Sequence, residues 1–298
     1  MEKPKEMKSC VAITARYEET YIQECICHNY LLGFDKIIVA LHNDPTDERP
    51  DRTHEQILKL PQHVLDKVEV VPFSIAQTET LGFYYQVIAY QNYILPIVQG
   101  HYEWMAMFDV DECFYDSQRR PINEILSDIP KDAGQVIVHW LEFGHNNQIL
   151  SAPPNETRLN WFTKRAEYPR THFKSIVRID ALPDVLRWYW CHYARVLGRS
   201  VNTKGEVVLP EIENWDALGI VEHHVPHPPY DDTAFETCLV HYWSGAMEDW
   251  VNRTKRWSVN KGTGVELSKF LEFTVDVEDH RMSIYAEELK ELLKQCKN

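Results

Sequence analysis

Trp104-Met-Ala-Met-Phe-Asp-Val-Asp-Glu-Cys-Phe114 decides how this chain is read. Its first five residues are apolar without a break, the composition of a strand buried on both faces of an α/β sheet. The run then meets Asp109, Asp111 and Glu112. Side chains alternate along a strand, so over 104–112 Asp109 and Asp111 are expected to project together from the C-terminal end. That is the edge where open α/β sheets bind ligands. Paired carboxylates repel unless a cation lies between them, and an oxygen-liganded divalent ion bridged to phosphates meets that need. Two solvated acids opening a turn are the plain alternative. The buried approach favours a metal or nucleotide site.

Working outward, the residues before the motif alternate strand and helix. Cys10–Ala15 reads as a buried strand and Arg16-Tyr-Glu-Glu19 as the turn after it. A helix follows with Ile22, Cys25, Ile26 and Leu32 on one face and Gly33 as its stop. Within it Glu24 and His28 are spaced to touch. Lys36–Leu41 is a second strand, ending in the polar loop 42–47, so the opening has the size of a parallel βαβ unit. A short helix near 53–60 precedes a strand at 68–73, which Pro72 pushes toward an edge. Phe83, Val87, Tyr90, Ile94 and Ile97 recur at helical steps, predicting a core-facing helix over 82–98. Beyond the motif come a helix opened by Pro121 and a strand at 135–140 that continues to a turn at Gly144. After residue 150 the pattern loosens. Strands are expected at 173–179, 188–196 and 238–243, helices at 248–259 and 283–296, and a long loop at 209–232.

The chain has 298 residues, 44% of them hydrophobic, ample for a large core. Its net charge of −14, from 45 acidic and 31 basic residues, argues against wrapping a nucleic-acid backbone. An acidic protein that handles phosphates needs a metal or a local basic cluster. Seven cysteines, an odd number in mostly apolar segments, fit free thiols in a reducing compartment better than a disulfide framework. The charged N-terminus reads as neither signal peptide nor anchor, and no stretch of 18 apolar residues follows, so a cytoplasmic location is expected.

Further pieces bring a family into view. Arg16-Tyr-Glu18 precedes Tyr21-Ile-Gln-Glu24, His28 and Gly33; Asn43 and Asp44 are followed by Asp47; Gln86 precedes Ala89-Tyr90. After the motif come Trp140-Leu-Glu-Phe-Gly144, Phe173-Lys-Ser-Ile176 and His241-Tyr242 with Ser244. In this order they resemble the GT-A-fold glycosyltransferases around glycosyltransferase family 92 and its family-2-like bacterial and viral relatives. The chain departs from that pattern at Arg16, where Lys is common, at Cys113, where Phe is usual, and in Trp243-Ser-Gly-Ala246.

The resemblance implies a single GT-A domain with a Rossmann-like mixed central sheet flanked by helices and a looser acceptor side. Residues 1–115 would form the nucleotide-sugar half, 116–260 the acceptor half and 261–298 a helical tail. It implies a nucleotide-diphosphate sugar as donor, a glycan or glycoconjugate as acceptor, and Mn2+ or Mg2+ as cofactor. Asp109, Asp111 and His241 would be the metal ligands, one aspartate acting through water. Arg16, Glu18, Asn43, Asp44, Gln86, Lys174 and Lys255 would hold the nucleotide sugar, with Arg256 a further candidate for the diphosphate. Inversion needs a carboxylate base; Glu142 is the first candidate, with Asp231 and Asp232 behind it. Glu112 would be a metal neighbour or face the acceptor. Trp140, Trp188, Trp190, Trp215 and Trp243 could stack on sugar rings. Exposed aromatics in 209–232 make a peripheral membrane contact conceivable. Two other classes stand beside this one. A phosphohydrolase of the haloacid-dehalogenase type would want Thr or Ser where Cys113 stands. A carbohydrate-binding relative would have no turnover.

Overall fold

In the computed structural model, residues 8–47, 49–76, 84–154, 156–183, 188–190, 192–209, 230, 232–252, 270 and 275–297 are described. Fourteen strands are formed among them: β1 (Ser9–Ala15), β2 (Lys36–Asn43), β3 (Val68–Ser74), β4 (Trp104–Phe108), β5 (Glu112–Asp116), β6 (Ala133–Glu142), β7 (Lys164–Arg165), β8 (Phe173–Arg178), β9 (Trp188–Trp190), β10 (Tyr193–Ala194), β11 (Arg199–Val201), β12 (Val207–Leu209), β13 (Thr237–His241) and β14 (Val277–Glu278). The main sheet runs β12-β11-β6-β8-β4-β1-β2-β3. Strands β3, β2, β1 and β4 are mutually parallel, and β8 lies antiparallel between β4 and β6. This is a mixed α/β sheet flanked by helices, in keeping with the GT-A expectation. β3 is its edge, the place that tolerates Pro72.

The two-residue period of the strands sorts the core onto two faces. Val11, Ile13, Ile37, Val39, Ala106 and Phe108 pack in one cluster with the helix Ile22–Leu31 and the C-terminal helix Ser283–Leu293. Cys10, Ala12, Ile38, Ala40, Met105 and Met107 face the other way, against Val87, Tyr90 and Ile94. Both faces being covered explains why β1, β2 and β4 read as continuous apolar runs rather than alternating ones. Gly33 takes φ +87°, the left-handed stop expected after the first helix.

Two expectations are corrected. The helix over 82–98 is broken, with α-helix at Tyr84–Ile88, a π-helical stretch at Ala89–Ile94 and α-helix again at Leu95–Val98. Pro96 has no N–H for the carbonyl of Asn92, so the turn before it widens. The motif strand, expected through 112, ends at Phe108; 109–111 form a turn and β5 starts a second layer of pairing. β5 pairs antiparallel with β13, and β13 runs parallel to the far half of β6.

Candidate active site

The turn at 109–112 is held on every side. Glu112 N–H donates to the Asp109 carbonyl at 3.1 Å, and Asp109 N–H donates to Glu112 Oε2 at 2.7 Å. The carbonyl of Val110 accepts from the Arg158 guanidinium at 2.6 Å, and that of Asp111 from Tyr242 N–H at 2.9 Å. Being in a turn rather than a strand, the two aspartates have different partners. Asp109 accepts from Gln86 Nε2 at 2.9 Å through one oxygen and from Lys174 Nζ at 2.8 Å through the other. Asp111 instead turns to His241, whose Nε2 lies 3.6 Å from its Oδ2.

Lys174 was expected at the nucleotide sugar. Its side chain is 0% exposed, and the ammonium lies between Asp109 and Glu112, 3.9 Å from the latter. It therefore supplies the cation that adjacent carboxylates demand. Burial pushes the Glu112 carboxyl well up; Lys174 opposes that, and Asp109 and Asp111 add to it. Beside this cluster, Trp140 packs against three imidazoles: His172, stacked at 5.4 Å between centroids, His192 at 5.0 Å and His241 at 4.2 Å. Burial, reinforced by the Lys174 charge, holds His192 well below the ordinary imidazole range and hence neutral. Trp140 is thus engaged on its faces and edges by protein rings, not by an open sugar platform. Trp243 packs edge-on to Trp250 at 4.9 Å.

The β1 and β2 ends converge as anticipated. Arg16 donates to Asp44 at 3.3 Å and to Asp47, and Asp44 is buried, also accepting from Thr46. Asn43 ends β2 and is exposed. Gln86 ties Asp109 to Thr14 of β1 at 2.9 Å, joining both parts of the site. Glu18 anchors the first helix through its carbonyl, which accepts from Ile22 N–H at 2.9 Å. Tyr17 beside it has φ +55°, a strained conformation for a non-glycine residue, with the Arg16 and Arg49 guanidinium groups over its ring at 5.1 and 4.7 Å.

Glu142, the first candidate base, lies at the end of β6 in register with His241, but Arg170 Nε binds its Oε2 at 2.5 Å. Asp232 precedes the helix Thr233–Glu236, at the end of β13 opposite His241, so the structure separates it from the motif. Asp231, Lys255, Arg256 and Trp215 lie outside the described residues, as do the side chains of Trp188 and Trp190 and most of the loop 209–232.

Arg158 was not anticipated. Fully buried, it pairs with Glu24 at 3.0 Å and sits over the rings of Tyr21 and Tyr242. Glu24 accordingly turns to Arg158 rather than to His28, which donates to the Phe114 carbonyl at 2.9 Å. Arg158 stands in the polar stretch Asn155-Glu-Thr-Arg-Leu-Asn160, where a solvated arginine is the ordinary expectation, and its partner is 134 positions away. In front of it opens a cavity of about 230 Å3, lined by Glu18, Tyr21, Asp111, Arg158, Tyr242 and Asp249.

Among the described residues no three His, Cys, Asp or Glu side chains gather to hold a metal ion, so a divalent ion here would rest on two protein ligands and take the others from substrate phosphates and water. Asp111 and His241 offer one hard oxygen and one imidazole nitrogen, a donor set suited to manganese. The oxygens of Asp109 are engaged by Gln86 and Lys174, which suits it to a water-mediated role.

No protein-family model matches the chain, and no curated protein sequence matches it. Among solved structures, a crystal structure of S. aureus TarS is similar at a TM-score of 0.33 and 13% identity, over 59% of this chain and 29% of that one. A crystal structure of S. aureus TarS 1-349 is similar at 0.33 and 16%, over 61% and 52%. This chain thus spans less than two thirds of the length of either. A likeness this distant carries no argument about the reaction, so the functional reading rests on the site itself.

Proposed function

We propose that this chain is a metal-dependent glycosyltransferase. It would move a hexose-type sugar from a nucleotide-diphosphate donor, UDP by expectation, to a hydroxyl of a glycan or glycoconjugate, with inversion. The observation that supports this reading most is the gathering of Asp109, Asp111, Gln86, Lys174 and His241 at one sheet edge, beside the ends of β1 and β2. A bound Mn2+ or Mg2+ supplies positive charge where the departing diphosphate becomes more negative. Asp111 and His241 would hold the ion. Asp109, neutralised by Lys174 and steadied by Gln86, would orient an ion-bound water. Arg16 fixes the Asp44 loop, and Asn43 stands exposed beside it for the base and ribose.

The test is a thermal-shift panel of nucleotide-diphosphate sugars, with manganese and with chelator. A ligand at a hundred times its Kd stabilises the folded state by about 2.7 kcal/mol, a rise of roughly 4 °C for a chain of this size. The reading expects a manganese-dependent rise with one sugar nucleotide, lost in Asp111→Ala and weakened in manganese affinity by His241→Ala. A second reading, a carbohydrate-binding chain without turnover, draws support from Lys174, which already neutralises Asp109. A shift with free glycans and none with any sugar nucleotide would select it.

A further inference from the structure

Resting on that reading, we infer that the cavity in front of Arg158 is the acceptor subsite. Asp249 is the carboxylate that takes the proton of a neutral acceptor hydroxyl. The cavity, at about 230 Å3, falls below the roughly 300–1,000 Å3 that engulfs larger organic ligands. It suits one sugar-sized polyol rather than a whole sugar nucleotide. Asp111 forms part of its wall, so an occupant lies next to the proposed ion. Asp249 lines the same cavity, and Glu142 does not.

Asp249 is held as a positioned group is held. Its Oδ2 accepts from Tyr21 O–H at 2.9 Å and from Ala246 N–H at 2.8 Å, and its Oδ1 accepts from Ser151 O–H at 2.6 Å. These donors come from three separate segments. The single Ser151 proton is shared with Glu248 Oε2 at 2.9 Å, and a carboxylate oxygen accepts twice, so Oδ1 is the less engaged oxygen and keeps a position for a substrate hydroxyl. Gly245 makes the placement sterically feasible: at φ +57°, a Cβ there would lie 2.7 Å from that of Asp249. Capping of its own helix start accounts for the Ala246 bond alone; the Tyr21 and Ser151 bonds fix the carboxylate at the cavity.

The walls also select the acceptor. Glu18, Glu19, Asp111 and Asp249 are acidic, and the two cations there are engaged, Arg49 with Asp47 at 2.6 Å and Arg158 with Glu24. A phosphate-bearing acceptor would add further negative charge beside these carboxylates, whereas a neutral sugar finds in them acceptors for its hydroxyls and in the tyrosine rings a surface for its C–H faces. In the step, the acceptor O–H bond breaks and its proton passes to Asp249. The acceptor oxygen bonds to the anomeric carbon, and the bond from that carbon to the phosphate oxygen breaks, its electron pair leaving with the nucleoside diphosphate.

The experiment measures nucleoside-diphosphate release from UDP-glucose and UDP-N-acetylglucosamine with manganese, in water alone and with added glycerol or glycerol 3-phosphate. Melting curves with the same donors are taken alongside. The expected result is release by the wild-type chain, accelerated by glycerol and not by glycerol 3-phosphate. Asp249→Asn is expected to keep the donor-induced shift and lose at least about a hundredfold in kcat. Asp249→Glu, which keeps the charge at the helix start, guards against misfolding; it is expected to keep the shift and fall about tenfold or more, the carboxylate being displaced. Release within about threefold of wild type in either folded variant overturns the assignment, as does equal acceleration by glycerol 3-phosphate. Absence of both shift and release in the wild-type chain would remove the underlying reading instead.

Discussion

Lys174→Met tests the charge arrangement of the motif turn directly. The substitution keeps side-chain length and removes the ammonium that lies 2.8 Å from Asp109 and 3.9 Å from Glu112. Removing one partner of a buried ion pair costs about 3–5 kcal/mol, because the other charge stays behind. Two features place this case near the low end. Asp109 is 25% exposed, so water screens part of its charge, and Glu112 can escape by taking a proton. A loss of about 3 kcal/mol corresponds to a fall in Tm of roughly 5 °C in a chain of this size. The pH dependence has a definite sign. A carboxyl whose folded pKa is raised binds protons more readily folded than unfolded, so its penalty grows as pH rises through the folded pKa and vanishes below the unfolded one. Without Lys174 the Glu112 pKa rises further, and the deficit of the variant is expected to shrink as pH falls from neutral toward the ordinary carboxyl range. Thermal melts of both proteins across that range are the assay. A difference under about 2 °C at every pH would refute the claim that Lys174 neutralises the turn.

Three other perturbations follow from the same geometry. Arg158→Met strands Glu24 in the core and is expected to cost about 3–5 kcal/mol, while Glu24→Gln/Arg158→Met recovers more than half; strictly additive losses in denaturant melts would break the pairing. His28, whose pKa burial lowers to about 4, is neutral in the fold but takes a proton once unfolded below its ordinary 6.5. Stability is therefore expected to fall by about 3 kcal/mol as pH drops from 6.5 toward 4, and a His28→Gln chain that melts with the same pH slope would contradict this. Glu142→Gln is expected to leave nucleotide release within about tenfold and stability within about 1 kcal/mol, since Arg170 is half exposed; abolished release would return the role of base to Glu142.

The local pattern carried much of the fold. Uninterrupted apolar runs at 10–13, 37–41 and 104–108 announce strands covered on both faces, because a sandwiched strand has no solvent side to mark with polar residues. Gly33 and Pro72 mark a helix stop and an edge strand for equally local reasons, a backbone conformation and a missing N–H. The same logic placed Asp109 at the end of the motif strand and carried the strand on through Asp111. Strand alternation holds only while the ladder continues, and here the ladder ends at Phe108.

Which carboxylate faces which partner was decided by contacts between distant segments. Lys174 reaches Asp109 across 65 positions, Arg158 reaches the Val110 carbonyl across 48, and Tyr21 reaches Asp249 across 228. A buried charge leaves no periodic signal in its own neighbourhood, because what makes it tolerable is a partner elsewhere in the chain. The sequence by itself thus determined the strands, the edge where they end and the acidic motif at that edge. Only tertiary packing decided that Asp109 is neutralised, that Asp111 turns toward His241, and that Asp249 stands on the same cavity.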